Sequence, residues 1–205
     1  MKHYPSISHD ILWDTNVVAF DKLDGSNIRA EWSKKRGTFY KFGSRRKLID
    51  EKEPILGKSI PLIVSGFEKE LNDVFMSKGY ESAICFFEFF GKNSFAGQHK
   101  EDDHHDVALI DVAPYKKGIL PPKEFIDLCG HLRIPEVLHV GPVDASFLSS
   151  VRDGSLENMT FEGVVCKHLS KNGKLTEMFK VKNDAWFKRL KEICGDDEGK
   201  FNELR

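Results

Sequence analysis

Lys22 is the residue whose setting most strongly suggests chemistry. It opens the run KLDGSN, in which Asp24 and Gly25 form a strong turn signal between two strand-like segments. A lysine is a poor nucleophile near neutral pH because its amine is protonated, and it becomes reactive when burial or nearby positive charge lowers its pKa. Lys22 is therefore a candidate nucleophile, although a solvated surface lysine would fit the same pattern.

A second group of chemically capable residues lies near the C-terminal end of the chain. Lys180 and Lys182 occupy alternate positions, so both would project from the same face of a predicted strand. Glu162 and Lys167 lie on the strand-like segment before it. Two lysines beside a glutamate could hold a phosphate and a divalent metal together, which would neutralise charge on a transferring phosphorus.

The elements that must position these residues are strands mixed with a few helices. Short apolar or alternating runs predict strands around residues 16–32, 37–45, 82–91, 106–115, 161–169 and 174–182. Helical spacing appears near residues 63–75, 125–132 and 186–193. The strands do not alternate regularly with helices, so we predict an α+β fold of mainly antiparallel sheets with flanking helices. Without a Gly/Ser/Pro-rich linker, residues 1–205 are predicted to form a single domain.

Charge is unevenly distributed along a chain whose net charge is only −1. Residues 29–47 carry eight Lys/Arg against one acid, and residues 162–191 carry eight against three. Two basic segments could form a local phosphate-binding face, because polyanion binding depends on the local field. Ordinary solvated surfaces would give the same composition.

The remaining composition favours an intracellular protein without a membrane anchor. The four cysteines show no CxxC pairing, which indicates reduced and mostly buried thiols. No segment approaches the length needed to cross a bilayer, and the N-terminus has no apolar signal region.

Taken in chain order, these elements resemble the motifs of the covalent nucleotidyltransferases, and within them the ATP-dependent RNA ligases. The KLDGSN run resembles the nucleophile motif KxDGxN. Five further segments resemble the later motifs in the same order: FGSR at 42–45, FEF at 87–89, LIDV at 109–112, FEGVVCK at 161–167 and FKVK at 179–182. The resemblance spans residues 20 to 182 and implies the nucleotidyltransferase (adenylation) domain of ATP-dependent ligases.

The resemblance implies a role for each matching residue. Lys22 would take AMP from ATP, and Asn27 would help to position a phosphate or metal-bound water. The residues that would bind the nucleotide are Arg45, Glu88, Ile110, Lys167, Lys180 and Lys182, and the metal residue would be Glu162. The implied cofactors are ATP and Mg²⁺ or Mn²⁺, and the implied partner is RNA with a 5′-phosphate and a 3′-OH end.

The resemblance is strongest to RNA ligase 2-like enzymes. DNA ligases and capping enzymes usually have arginine where this chain has Asn27, and they carry a following OB-fold domain. Only 23 residues follow Lys182, so we expect a bare adenylyltransferase core without a C-terminal OB or accessory domain. A separate protein could then supply end recognition. Stand-alone ligases of this kind repair RNA in phage, which implies a cytoplasmic setting.

Three features of the sequence depart from this pattern or lie outside it. Ile110 stands where relatives often place an aromatic residue on the base, which leaves nucleotide preference open. The acidic, histidine-rich run from His99 to Asp106 fits no metal-ligand spacing and is interpreted as a polar loop. The Asn93–Gln98 run could border the site or be a plain connection.

Two alternatives remain open from the sequence. One is another enzyme of the same superfamily that seals DNA or caps RNA. The other is a non-catalytic nucleotide- or RNA-binding relative, although a protein that only binds has no need of Lys22.

Overall fold

The computed structural model describes residues 3–92, 103–169 and 175–204, and these residues form two antiparallel sheets with flanking helices. The strands are β1 (Asn16–Asp21), β2 (Gly25–Ser33), β3 (Thr38–Ser44), β4 (Leu48–Ile49), β5 (Ser82–Phe90), β6 (Asp106–Pro114), β7 (Val137–Pro142), β8 (Gly163–Leu169) and β9 (Leu175–Lys182). The predicted α+β class with mainly antiparallel sheets is confirmed.

The strands divide into a five-stranded and a four-stranded sheet. The five-stranded sheet has the order β4-β3-β2-β5-β6, and the four-stranded sheet has the order β7-β1-β8-β9. The predicted pairing of the two C-terminal strands is present as β8 and β9, while the Asn-Gly turn between them lies outside the described residues.

Two of the helices cover the outer faces of the two sheets. Residues 56–77 form a 3-10 turn (Leu56–Lys58), α1 (Ser59–Ile63), a π turn (Val64–Glu68) and α2 (Lys69–Ser77); later helices are α3 (Pro122–Cys129), α4 (Ala145–Asp153), α5 (Asp184–Cys194) and α6 (Glu198–Leu204). Leu71 and Phe75 of α2 pack with Trp32 and Phe87 of the five-stranded sheet. Phe147 and other apolar residues of α4 pack against the four-stranded sheet. The opposite faces of the sheets are left to line a cleft.

Strand alternation places chemistry on the cleft side of each sheet. In β8 and β9, Cys166 and Phe179 belong to the apolar cluster under α4. Their neighbours Val165 and Lys180 pair with each other and face the opposite way, into the cleft. The same period of two turns Glu88 of β5 toward the cleft from the other sheet.

The segment around Lys22 crosses from one sheet to the other. β1 belongs to the four-stranded sheet and β2 to the five-stranded sheet, so the predicted turn at Asp24-Gly25 does not form a hairpin. A Cβ atom on Gly25 would lie 2.3 Å from the Phe89 carbonyl oxygen, so only glycine allows this approach of the two backbones. The crossing therefore holds Lys22 at the junction of the two sheets.

Two remaining sequence predictions concern the cysteines and the membrane. All four cysteines are buried and free of disulfides, as predicted. No helix in the described part of the chain is long and apolar enough to cross a membrane.

Candidate functional site

The cleft between the two sheets has a volume of about 890 Å³, which is enough for a nucleotide. All nine residues singled out from the sequence line it: Lys22, Asn27, Arg45, Glu88, Ile110, Glu162, Lys167, Lys180 and Lys182. They come from five strands and from the connections next to them, across both sheets. Residues that are spread over 160 positions in sequence therefore converge on one cavity.

Lys22 directly follows β1 and Glu162 directly precedes β8, and these two strands pair in the four-stranded sheet. The Lys22 backbone N–H donates to the Gly163 carbonyl oxygen at 2.9 Å. Gly163 has φ +131°, and a Cβ atom there would lie 2.1 Å from the Val181 carbonyl oxygen. A side chain at Gly163 would push β8 away from β9, so glycine is needed next to Glu162.

Glu162 binds the two central lysines of the site at once. Its Oε2 accepts a hydrogen bond from Lys22 Nζ at 2.8 Å, and its Oε1 accepts one from Lys182 Nζ. The Glu162 and Lys182 side chains are almost fully buried, whereas 20% of the Lys22 side chain is exposed to the cleft. The Lys22 amine is thus held in place with one side open to a ligand.

The two lysines differ in pKa because their surroundings differ. Burial lowers the pKa of Lys22, but the attraction of Glu162, Glu88 and Asp24 outweighs it and leaves the pKa above its usual value of 10.5. Burial and the nearby positive charges of Lys22 and Lys180 outweigh the attraction of Glu162 and lower the pKa of Lys182 to about 8. Lys22 is therefore protonated while it is paired with Glu162, and it needs a change in its surroundings before it can act as a nucleophile.

Trp186 is a site residue that the sequence did not reveal. Its helical spacing with Leu190 predicts a core residue, and it is indeed 99% buried, with Leu190 and Cys194 of the same helix as neighbours. Its ring also lies 3.4 Å from Lys182 Nζ, measured to the ring centroid, and it borders the cleft. A cation–π contact of this kind stabilises the charged form of Lys182.

Glu88 and Asn27 lie opposite each other on paired strands at the floor of the cleft. Asn27 pairs with Glu88 across β2 and β5, and Asn27 Nδ2 donates to the Phe87 carbonyl oxygen at 3.5 Å. Burial, opposed by the attraction of Lys22, raises the pKa of Glu88 to about 8, and the carboxylate of Glu162 adds to the rise. A neutral carboxyl group there can both donate and accept hydrogen bonds.

A β-bulge sets the orientation of Ile110. Phe86 pairs with Asp111 and Phe87 with Leu109, so Ile110 is the extra residue in β6. A bulge re-aims side chains. Ile110 consequently faces the cleft, and the next residue, Asp111, points to the same side of the sheet, where it contacts Lys167.

Lys167 is held by Asp111 on the side of the cleft formed by the four-stranded sheet. Lys167 Nζ donates to Asp111 Oδ1 at 2.5 Å and to the Ile110 carbonyl oxygen at 3.1 Å, and both side chains are almost fully buried. Lys167 also lies over the Phe20 ring at 4.7 Å. The positive charge of Lys167 is therefore largely compensated inside the protein.

Arg45 and Lys180 lie at the rim of the cleft. Arg45 is exposed just after β3, and its carbonyl oxygen accepts a hydrogen bond from the His3 ring at 2.7 Å. Lys180 is half-buried on β9, and its backbone N–H donates to the Ser8 carbonyl oxygen at 2.8 Å. Both cationic side chains are placed to bind a negatively charged ligand that enters the cleft from solvent.

Asp21 is another site residue that the sequence did not reveal. Its Oδ1 accepts hydrogen bonds from the Thr160 N–H at 2.9 Å and from the Thr160 hydroxyl at 3.0 Å. This contact ties the residue before Lys22 to the segment that leads to Glu162. An aspartate directly before a lysine carries no recognisable signal in a single sequence, because its partner lies 139 positions away.

The donor set of the cleft fits a weakly chelated divalent cation. Glu162 and Glu88 are carboxylates in the cleft, and the described residues contain no group of three or more His, Cys, Asp or Glu side chains that could hold a metal. Mg²⁺ is commonly bound by one or two carboxylates together with water and substrate phosphates. Glu162 thus suits a metal that arrives with a nucleotide.

The other candidate metal run has no support in the described residues. His99 and Asp102 lie outside them, as does the Asn93–Gln98 run. Asp106 begins β6 and forms an ion pair with Arg133. The polar-loop interpretation of this run is not contradicted.

Comparison with known proteins identifies a protein family and several similar solved structures. The profile of the RNA ligase family matches residues 15–188. An RNA ligase of Naegleria gruberi solved with PPi aligns with 88% of this chain and 53% of its own, at a TM-score of 0.64 and 17% identity. A mutant of that enzyme with AMP and Mn aligns with 84% of this chain and 51% of its own, at a TM-score of 0.62 and 16% identity.

These likenesses are limited in identity and in length. At such low identity they establish a shared fold, and the chain spans about half the length of the structures it matches. No curated protein sequence matches the chain significantly.

Proposed function

The chain belongs to the RNA ligase family, and from that premise we propose that it is an ATP-dependent RNA ligase that works through a covalent lysyl-AMP. The observation that carries the proposal is the contact of Lys22 with Glu162, which also binds Lys182, at the junction of two sheets. A binding protein would not need an amine held in this way, with one side open to the cleft, beside a second lysine.

In the first step, Lys22 Nζ attacks the α-phosphorus of ATP. A P–N bond forms, the bond between the α-phosphorus and the bridging oxygen breaks, and pyrophosphate leaves. The ammonium of Lys22 loses one proton to water before the attack, and the nitrogen loses a second to water as the P–N bond forms. Phosphate oxygens that arrive beside Lys182 compete with Glu162 for the two lysines that it binds. Lys180 and Lys182 would neutralise charge that builds up on the α-phosphate.

The remaining cleft residues would hold the nucleotide for this attack. Glu88 and Arg45 would bind the ribose and the adjoining phosphate, and Asn27 would position a phosphate oxygen or bound water. Ile110 would cover the base. Asp111 neutralises the charge of Lys167. Lys167 would therefore contribute to nucleotide binding mainly by fixing the backbone of the bulge at Ile110.

A divalent cation would assist from Glu162. When bound, Mg²⁺ or Mn²⁺ would supply positive charge to the phosphates of ATP. The Naegleria ligase has been solved with ATP and Mn and with AMP and Mn, which supports the choice of nucleotide and metal.

In the later steps, AMP would move to RNA and the ends would be joined. A 5′-phosphate oxygen of RNA attacks the lysyl-AMP phosphorus, so that the P–N bond breaks and a 5′–5′ pyrophosphate linkage forms. A 3′-OH then attacks the 5′-phosphorus and releases AMP. The substrate would be broken RNA inside a cell, including a phage-infected cell.

The chain would act as one adenylyltransferase unit over residues 1–205. Both sheets contribute to a single cleft, so neither would bind the nucleotide alone. Where recognition of the RNA ends needs more surface than this unit offers, a separate protein would supply it.

The test of this function is RNA joining by the purified protein. Nicked RNA with a labelled 5′-phosphate is incubated with ATP and Mg²⁺, and the joined product is measured on a denaturing gel. Wild type and the control Lys78→Ala, which alters an exposed lysine after α2, should join the ends, whereas Lys22→Ala should not. Equal joining by Lys22→Ala and wild type would overturn the proposal, and a wild type that binds ATP without any joining would favour the binding relative.

A further inference from the structure

The N-terminal segment of residues 3–9, here called the strap, lies along the cleft without regular secondary structure of its own. Four of its residues, Tyr4, Ser6, Ile7 and His9, line the cavity. Nothing in the proposed chemistry uses these residues. That chemistry therefore does not explain why these residues line the cleft.

One part of the strap is anchored to the five-stranded sheet. Tyr4 is 8% exposed, and its hydroxyl donates to Asp111 Oδ2 at 2.5 Å. Its ring packs on Phe86 with the ring centroids 4.9 Å apart. Burying a tyrosine in this way fixes the strap to the strand that carries the bulge at Ile110.

The other part of the strap is anchored to the four-stranded sheet. The Ser8 carbonyl oxygen accepts the Lys180 backbone N–H at 2.8 Å, and Ser8 forms a parallel bridge with Phe179. Because β9 is the edge strand of its sheet, these contacts use the backbone groups that the edge leaves unpaired. The strap thus connects the two sheets that form the cleft.

Ile7 lies with Ile110 in one apolar cluster that borders the cavity. Val165 of β8 lines the cavity from the opposite sheet. The phosphate-binding charges of Lys22 and Lys182 lie around Glu162 instead. These aliphatic side chains therefore form an apolar surface of the cleft that suits the flat face of a base.

We propose that the strap completes the nucleotide site, with Ile7 and Ile110 together covering one face of the base and Tyr4 positioning Ile110. The proposal rests on the proposed function and adds the residues that recognise the base. Two isoleucines that pack against one apolar cluster and line the same cavity offer a larger apolar surface than one, which offsets the absence of an aromatic ring at Ile110.

Tyr4 would act through a chain of three hydrogen bonds. Its hydroxyl binds Asp111, whose other oxygen binds Lys167 Nζ, and Lys167 in turn donates to the Ile110 carbonyl oxygen. Every link is buried or partly buried, so loss of the hydroxyl leaves Asp111 with an unsatisfied oxygen. Tyr4 is therefore a positioning residue for the bulge and does not itself need to touch the nucleotide.

The first experiment measures binding of an ATP analogue with a methylene group between the α- and β-phosphorus, which Lys22 cannot cleave. Ile7→Ser should weaken its binding about tenfold. Binding of inorganic tripolyphosphate, which has no base, should stay within about twofold of wild type. Pro5→Ala is the matched control, because Pro5 is exposed on the same strap and does not line the cleft.

The second experiment uses Tyr4→Phe, which keeps the ring on Phe86 and removes only the hydroxyl. The KM for ATP in lysine adenylylation should rise about fivefold, while the rate at saturating ATP stays within about twofold of wild type. Thermal unfolding of each variant tests whether the fold is retained. Ile7→Val, a smaller change at the same position, is measured for comparison.

The outcomes separate this inference from the function on which it rests. If wild type binds and reacts with ATP while Ile7→Ser and Tyr4→Phe behave like Pro5→Ala, the strap has no part in the nucleotide site and the inference is wrong. Equal losses for the analogue and for tripolyphosphate would contradict a base contact by Ile7. A wild type that neither binds nor reacts with ATP would instead overturn the proposed function.

Discussion

Glu162 holds Lys22 at 2.8 Å although 140 residues separate them in the chain, and the same carboxylate also holds Lys182. The contact keeps the Lys22 amine protonated and fixed until a ligand changes its surroundings. Since a phosphate bound at Lys182 and a cation bound at Glu162 would both weaken this pairing, the nucleotide itself would release the nucleophile.

Glu162→Gln keeps the size of the side chain and removes its charge. We expect lysine adenylylation to fall at least about 100-fold, because the cation loses its carboxylate and Lys22 and Lys182 lose their shared partner. Single-turnover formation of the AMP adduct measures this loss. Glu157→Gln, at an exposed position before Glu162, should react like wild type; equal rates for the two variants would contradict the role of Glu162.

The pH dependence of adenylylation follows from the two opposed lysine pKa values. Lys22 must lose a proton and its pKa is raised, so the rate should rise with pH below about pH 8. Lys182 must keep its proton, and since its pKa is about 8 the rise should level off above that pH. Lys182→Arg retains the charge, so its rate should continue to rise above pH 8. A wild-type profile that is flat across this range would contradict both assignments.

Glu88 should make the protein less stable as the pH rises. Its pKa in the folded protein is about 8 against an ordinary 4.5, so between these values the folded protein binds more protons than the unfolded chain. This group therefore lowers the free energy of unfolding as the pH increases. The free energy of unfolding of Glu88→Gln, measured in urea, should therefore increase relative to that of wild type as the pH rises from about 5 to about 8.

The control for Glu88 is Glu51→Gln, at an exposed position outside the cleft. Its stability relative to wild type should not change over the same pH range. If Glu88→Gln behaved in the same way as this control, Glu88 would be an ordinary ionised carboxylate.

Gly25→Ala tests the close approach that places Lys22. The added Cβ would lie 2.3 Å from the Phe89 carbonyl oxygen, so we expect a loss of about 2–4 kcal/mol in the free energy of unfolding. Gly66→Ala is the matched control, because it lies in the helical segment with nothing within 4 Å of the new atom. That variant should be unchanged or gain up to about 1 kcal/mol. Denaturant unfolding compares the two, and equal stabilities would contradict the packing at Gly25.

Much of the site could be predicted because its residue types occur in short local patterns. Alternation of Lys180 and Lys182 on one strand needs only the period of two. The same period predicted most of the strands, and helical spacing predicted the helices that end at Ser77, Cys129 and Cys194 within a few residues.

Other elements carry weak local signals and were not predicted. β7 is a short edge strand that contains Gly141 and ends at Pro142, residues that argue against a strand. α4 begins after Asp144, whose side chain accepts the Phe147 N–H at 2.8 Å, and its few apolar residues give only a short helical pattern. Both elements are stabilised by neighbours that are distant in sequence.

Several site features depend on contacts between distant segments and could not be foreseen. The bulge turns Ile110 and Asp111 both inward, which strict alternation forbids. The strap has no periodic pattern of apolar residues, and its place follows from the open edge of β9 and the buried hydroxyl of Tyr4. The helical spacing of Trp186 predicts only that its side chain is buried, and a buried side chain can also contact Lys182.

The most direct test of the central claim is the intact mass of the protein after incubation with ATP and Mg²⁺. We predict that wild type and Lys78→Ala gain the mass of one AMP, that Lys22→Ala gains nothing, and that peptide mapping of the wild-type adduct assigns the AMP to Lys22. Folded wild type that gains no mass with any nucleotide or divalent metal, or an adduct that persists in Lys22→Ala, would contradict the account.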